Sequence, residues 1–415
     1  MVDFTHVALD EPTARVGQTA PSNRGLVVVS GVIFFAGSLL LWQTESLTQV
    51  GLFLVAGMLG AALYFARFGF TSSFRNFLRD QRGIGIRAQM VMFLMANLLF
   101  LPLMTHGQAF GHTVGGYVFP VGISVAVGSF LFGIGMQLAD GCASGTLYHT
   151  GGGDLRGVAA IAGFVVGSVA GSVNFPWWMA TPHFSPISFV ASFGTIGGFV
   201  VEGFLLVVVF LLAWWLERRR YGHVEPLFSA LALHRNHAVR FDPHILFKGP
   251  WSWIGGGLVL AVGNWLVLLL SGKPWGVTFA FALWGAKITQ ALGIPVAHWT
   301  YWQVPANAMA LRHGILHDAT TVLDIGVILG AFLAASLAGG FSNWKLPRIP
   351  GRMWVALIGG GALMGYGARI AFGCNIGAFF SGIASFSLHG WEWFLLALMG
   401  SWVGLLCRPA FGFRR

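Results

Sequence analysis

The chain has 415 residues, of which 56% are hydrophobic and only 9% charged, with a formal net charge of +10 and a mean hydropathy of +0.73. A soluble domain carries about a quarter charged residues, so this composition excludes a water-covered globule and places the chain in lipid. The arginines sit in short loops between apolar runs, as topology determinants do, which excludes nucleic acid as a partner and leaves a basic mouth that attracts anions as a second use.

Residues 1–24 form a polar tail without an apolar core, so no cleavable signal peptide is expected there. Spans need about 20 predominantly apolar residues. Such runs occur at 25–43, 50–68, 88–105, 119–138, 157–175 and 196–216, then at 251–271, 277–292, 322–340, 352–372 and 391–407. Alternation of period two is absent, which argues against strands. The chain therefore reads as an all-α polytopic bundle in a bacterial-type inner membrane. It divides into a first membrane repeat (25–216), a basic cytoplasmic linker (217–249) and a second membrane repeat (250–415).

Basic loops at 67–87, 217–249, 345–352 and the C-terminal tail mark the cytoplasmic side. Four runs lie between the first two loops and two between the last two, as an even number of crossings requires. Three runs lie between 249 and 345, which breaks the parity. Either a re-entrant crossing is hidden in that region, with 293–318 the favoured place, or one of the three runs does not cross. On this topology Cys142 lies in a break that opens to the cytoplasm and Cys374 in one that opens outside.

The two breaks, GIGMQLADGCASGTL and GYGARIAFGCNIGAFFS, resemble each other. An offset of 232 pairs Gly128 with Gly360, Gly133 with Gly365, Gly141 with Gly373, Cys142 with Cys374 and Gly145 with Gly377. One further residue of offset pairs Gly167 with Gly400, Ser168 with Ser401 and Gly171 with Gly404. Similar motifs entering from opposite faces are the signature of an inverted repeat.

Broken helices persist in membranes only where protein or a water-filled path surrounds them. Gly141, Gly145, Gly373 and Gly377 permit the breaks and let backbone reach a ligand. The helices that restart there present N–H groups that favour anions. Ser144, Thr146 and Asn375 are placed to cap them or to donate to a ligand oxygen. Cys142 and Cys374, protonated in an apolar setting, offer weak S–H donors and polarizable sulfur, which suits a soft sulfur- or selenium-containing ligand. Arg369, five residues before Cys374, either attracts an anion or snorkels to the interface; Gln137 holds the matching place. Asp140 pairs with a basic group or caps a turn. Lys287, Glu202, Asp324 and Glu392 are ionisable groups in or beside apolar runs. Cys407 reads as a buried structural thiol. His313 and His317, four apart, lack a third ligand, so no metal or other cofactor is expected, and no P-loop motif is present.

These motifs resemble the YeeE/YedE family of sulfur-transport membrane proteins over both halves, from about 50 to 412. The resemblance implies an hourglass of helices with helix–loop–helix elements dipping in from both sides. It also implies thiosulfate import in which Cys142 and Cys374 pass the anion by S–H···S contacts. A third pathway cysteine found in some members has no counterpart here. The expected function is a permease rather than an enzyme, its ligand a small sulfur-containing anion, its surroundings the lipid bilayer, and its soluble partner, if any, a cytoplasmic sulfur-carrier or regulatory protein docked on 217–249. The alternatives are a membrane sensor for a sulfur compound and a transporter of selenium or another sulfur species.

Overall fold

A computed structural model describes residues 23–228, 244–342 and 349–413. The polar tail to residue 22, linker residues 229–243, Lys345 and Arg348 of the third basic loop, and Arg414 and Arg415 lie outside the described residues.

The described chain is nearly all helical. In order, the helices are α1 (Arg24–Thr44), α2 (Leu47–Ala66), α3 (Phe70–Asp80), α4 (Ile84–His106), α5 (Ile123–Leu138), α6 (Ala143–Gly151), α7 (Leu155–Met179), α8 (Phe189–Tyr221) and α9 (His244–Lys248). They continue with α10 (Trp253–Ser271), α11 (Thr278–Ala291), α12 (Thr300–Gln303), α13 (Pro305–Arg312), α14 (Ala319–Leu337), α15 (Gly351–Ile370), α16 (Ser381–Ala384) and α17 (Leu388–Cys407). Asn375–Phe380 form a π-helical turn. Four two-residue strands make two small antiparallel pairs, one of them joining Val121 and Gly122 to Phe184 and His183.

Local chemistry sets the helix ends. Ser46, Asp154, Ser252 and Asp318 each accept a hydrogen bond from a first-turn N–H of the helix they precede. This satisfies a donor that the helix leaves open. Gly107, Gly222 and Gly272 close α4, α8 and α10 in the left-handed region that C-caps favour. α8 is interrupted at Gly194, which has φ 73° and non-helical ψ.

Among the described residues, ten segments are long and apolar enough to cross a membrane. They correspond to ten of the eleven expected runs. The exception is 277–292. Its helix α11 has 14 residues, about 21 Å at 1.5 Å per residue, which is short of a bilayer core. Nor does 293–318 hold a helix of spanning length. It folds into two 3-10 turns, α12 and α13, and packs with α11 around Tyr301, Trp302 and Val296. Two segments of spanning length, α10 and α14, lie between these basic loops, an even number as the expected topology requires.

The long helices pack crosswise between the halves: α7 on α15 and α5 on α17, α2 on α14 and α10 on α4, with α5 also on α15 and α2 on α10. Small residues make this possible. On α7, Gly163, Gly167 and Gly171 recur every fourth residue and meet the backbone of Ile358, Ala362 and Tyr366 on α15. On α17, Gly400 and Gly404 meet the backbone of Phe130 and Ile134 on α5. Close backbone approach of this kind holds membrane helices together where the hydrophobic effect between them vanishes. α1 and α8 expose long apolar faces, including Phe35, Trp42, Phe204 and Leu211, as lipid-facing helices do.

Candidate functional site

The two breaks lie at opposite ends of α5. At its N-terminal end Ser124 Oγ donates to the carbonyl of Ile370, the last residue of α15. At its C-terminal end the chain turns through Asp140 and Gly141 into Cys142. Each turn uses a left-handed residue, Asp140 (φ 58°) in one and Phe372 (φ 58°) in the other, just ahead of the motif glycine. The sequence reading assigned the breaks to the glycines. Gly373 does need its freedom, with φ 153° and no room for a Cβ, which would lie 2.7 Å from the Ala378 nitrogen. Gly141 has only ordinary contacts at 3.5 Å or more.

Both thiols are buried. Cys142 occupies the N-cap of α6; its Sγ accepts from Gly145 N at 3.4 Å and lies 3.4 Å from Ser144 Oγ. Cys374 occupies the equivalent place before the π turn, where the backbone N–H groups of Gly377 and Ile376 bear on its sulfur. α6 packs against that turn, and the thiols are close enough for charge on one to act on the other. Backbone donors around a weakly polar sulfur can hold an anion without locking it in place.

The remaining predicted residues separate into those without side-chain partners among the described residues and those already engaged. Asn375 is fully buried and, among the described residues, neither of its amide atoms has a hydrogen-bond partner. A Cβ on Gly377 would point into a gap bounded by Tyr117 and Gly276, each 4.0 Å away. The Thr146 hydroxyl instead donates to the Ala143 carbonyl at 2.7 Å. Arg369 neither snorkels nor hangs free. It donates to the Tyr301 hydroxyl and, at 3.2 Å, to Thr278 Oγ1. Among the described residues it makes no ion pair, so its charge has only neutral partners.

Three arginines surround the Cys142 break. Arg75, Arg408 and Arg156 reach Asp140 at 2.5, 3.1 and 3.4 Å. Burial acts to raise the nearby Asp154 carboxyl, but hydrogen bonds and charge from Arg156 outweigh it and hold the group below its ordinary range. A narrow cavity lined by Asp140, Gly141, Thr146, His149 and Arg156 opens here. Near the Cys374 break a cavity of about 90 Å³ is lined by Pro120, Ser124, Trp178 and Phe372, among others.

Other flagged groups have structural partners. Lys287 Nζ donates to the carbonyls of Leu311 and His313, Glu202 accepts from Trp391, and Glu392 accepts from Gly122 N. His317 lies 3.1 Å from a Glu45 carboxyl oxygen. Among the described residues no three metal-ligating side chains gather. Sequence reasoning passed over Tyr117, which comes from the loop before α5 to stand beside Gly377. Burial raises its phenol well above the ordinary value, and nearby Asp318 and Cys374 add to the effect. Its one local signal is its place between Gly116 and Phe119 in a loop rather than a span.

The chain also resembles known proteins. It is 34% identical to the probable transporter YedE of Salmonella typhimurium and 36% identical to that of Escherichia coli, each over 163 residues. Those matches cover 38% of this chain and 39% of either YedE protein, so the chain spans about two fifths of the length of these relatives. The thiosulfate transporter TsuA of Spirochaeta thermophila is 27% identical over 360 residues, covering 84% of this chain and 96% of that protein. With ten segments fit to span a bilayer and a family model for sulphur transport matched over residues 65–403, the chain is a multi-pass inner-membrane protein and belongs to the sulphur transport family.

Proposed function

We propose that the protein is a permease for a small sulfur-containing anion, thiosulfate first, and that Cys142 and Cys374 pass the anion between them at a central constriction. One observation carries this reading: two buried thiols, one from each half, stand at the N-cap positions of segments that pack on each other and lie within electrostatic reach of each other. Neutral S–H groups bind weakly, which permits release. The end bearing Arg75, Arg156 and Arg408 is cytoplasmic and the Tyr117 end faces outside. Ser144, Gly145, Asn375 and Gly377 line the route with the thiols; Gly141 and Gly373 shape the turns. Arg369 draws the anion inward by its uncompensated charge. Thr146 bonds to the ligand only if its hydroxyl leaves Ala143.

The scaffold for this is a pair of inverted repeats, 25–216 and 250–415, each contributing a re-entrant element. Reciprocal bonds support that reading. Ser168 Oγ donates to Gly365 O at 3.4 Å, and Ser401 Oγ to Gly133 O at 3.4 Å. Likewise Gln137 donates to the Thr71 carbonyl that opens α3, and Arg369 to the Thr278 carbonyl that opens α11. Each bond maps onto the other when the halves are exchanged.

The test is uptake of radiolabelled thiosulfate into proteoliposomes. Cys142→Ala and Cys374→Ala should each reduce initial uptake at least tenfold while the protein elutes as a folded monodisperse species. Unchanged uptake in both variants overturns the thiol pathway. Failure of the unaltered protein to move thiosulfate overturns the substrate.

A further inference from the structure

Asp324 is fully buried in α14, and among the described residues neither of its carboxyl oxygens has a hydrogen-bond or ion-pair partner. Buried carboxyl groups are ordinarily paired, so this one calls for an explanation. It follows Thr321 by three residues, a neighbouring position on α14, and Asp318, the N-cap of that helix, by six. The Thr321 hydroxyl donates to Asp318 Oδ2 at 3.0 Å and accepts from Trp284 Nε1 at 3.2 Å. Asp318, half-buried at the helix end, lies within electrostatic reach of Lys273 and Tyr117. Asp324 lies within such reach of the Cys374 thiol. A polar ladder therefore begins at the Tyr117 end of the molecule and stops beside the thiol that the anion would meet first.

We propose that Asp324 is the proton-binding residue that couples anion entry to proton entry, loaded by way of Asp318 and Thr321. The inference rests on the anion-permease reading. A bare carboxylate at this place repels an arriving anion, and a proton on it removes the repulsion. Proton and anion then each favour the binding of the other, as linkage requires. The other titratable or charged groups on elements packed against α14 are Arg24 of α1, Tyr64 of α2, which approaches Gly340 beyond the far end of α14, Tyr148 and His149 of α6, Lys248 of α9, Lys287 of α11, held by backbone carbonyls, and His317, which faces Glu45. The groups whose charges couple to Asp324 are Asp318 and Cys374.

The experiment uses the full chain in proteoliposomes that enclose a pH-sensitive dye, with thiosulfate as the probe. One proton per anion makes a pH gradient of one unit worth about a tenfold change in steady-state accumulation. The unaltered protein should follow this, and external thiosulfate should acidify the lumen. In Asp324→Asn the accumulation ratio should no longer respond to the pH gradient and acidification should be lost. Asp324→Glu should restore coupling with a displaced pH midpoint, and it serves if the amide variant does not fold. Acidification retained in Asp324→Asn, an undisplaced midpoint in Asp324→Glu, or accumulation that follows a sodium gradient and not a pH gradient overturns the inference. If the unaltered protein moves no thiosulfate even by exchange, the permease reading fails first.

Discussion

Replacing Asp140 by Asn removes the one carboxylate shared by Arg75, Arg408 and Arg156 and leaves three guanidinium groups facing each other. Asparagine tolerates the left-handed backbone at this position, so the turn itself survives and the effect is electrostatic. A charge pair about 4 Å apart is worth about 4 kcal/mol at an effective dielectric of 20. The side chain of Asp140 is 22% exposed and those of the arginines 11–21%, so desolvation and screening offset much of that. Breaking a buried pair costs about 3–5 kcal/mol, and partial exposure lowers the expectation to about 2–4 kcal/mol. Thermal unfolding in detergent, followed by tryptophan fluorescence, should therefore show a clear loss at low salt that shrinks at high salt. Adding Arg408→Gln to the Asp140→Asn variant should recover part of the loss by relieving repulsion. A melting temperature unchanged at low salt, or a second substitution that only deepens the loss, refutes the reasoning.

Burial raises the Asp318 carboxyl above its ordinary range, so its ionisation opposes folding and stability falls as pH rises through the folded-state value. Asp318→Asn keeps the α14 cap. It should stabilise the protein at neutral pH, with the advantage fading below about pH 4, read from melting temperatures across pH. At the α7–α15 crossing, Gly167→Ala forces a methyl into the Ala362 carbonyl and should cost about 1–3 kcal/mol. Gly359→Ala, on the open face of α15, should be neutral or stabilise by up to about 1 kcal/mol, and equal losses in the two would rule out the close-packing argument. Gly377→Ala points into open space beside Tyr117 and should fold normally yet slow uptake several-fold, whereas Gly373→Ala should lose folded protein. Normal uptake in Gly377→Ala would remove that gap from the route.

Much of this architecture was legible in the chain because hydropathy and glycine punctuation act locally. Ten apolar runs became ten segments of spanning length among the described residues, and both cysteine breaks fell at helix ends. Run 277–292 misled because its apolar residues serve a buried half-length helix, and hydropathy does not distinguish burial in protein from burial in lipid. Asp140 was readable as a charge seeking a partner, but its three arginines come from α3, α7 and the end of α17. The Arg369 alternatives were decided by Tyr301 and Thr278, about 70 and 90 residues earlier in the chain.

By itself the sequence determined the solvent, ten of its eleven expected spans, the two thiol motifs and their offset, since each depends on residue type and short-range spacing. The tertiary structure decided which helices interlock, that both thiols lie within reach of each other, and that Tyr117 and Asp324 join Cys374. Those outcomes depend on close approach between helices far apart in the chain, where the shape of a glycine-lined crossing sets which polar groups find partners and which are left without one.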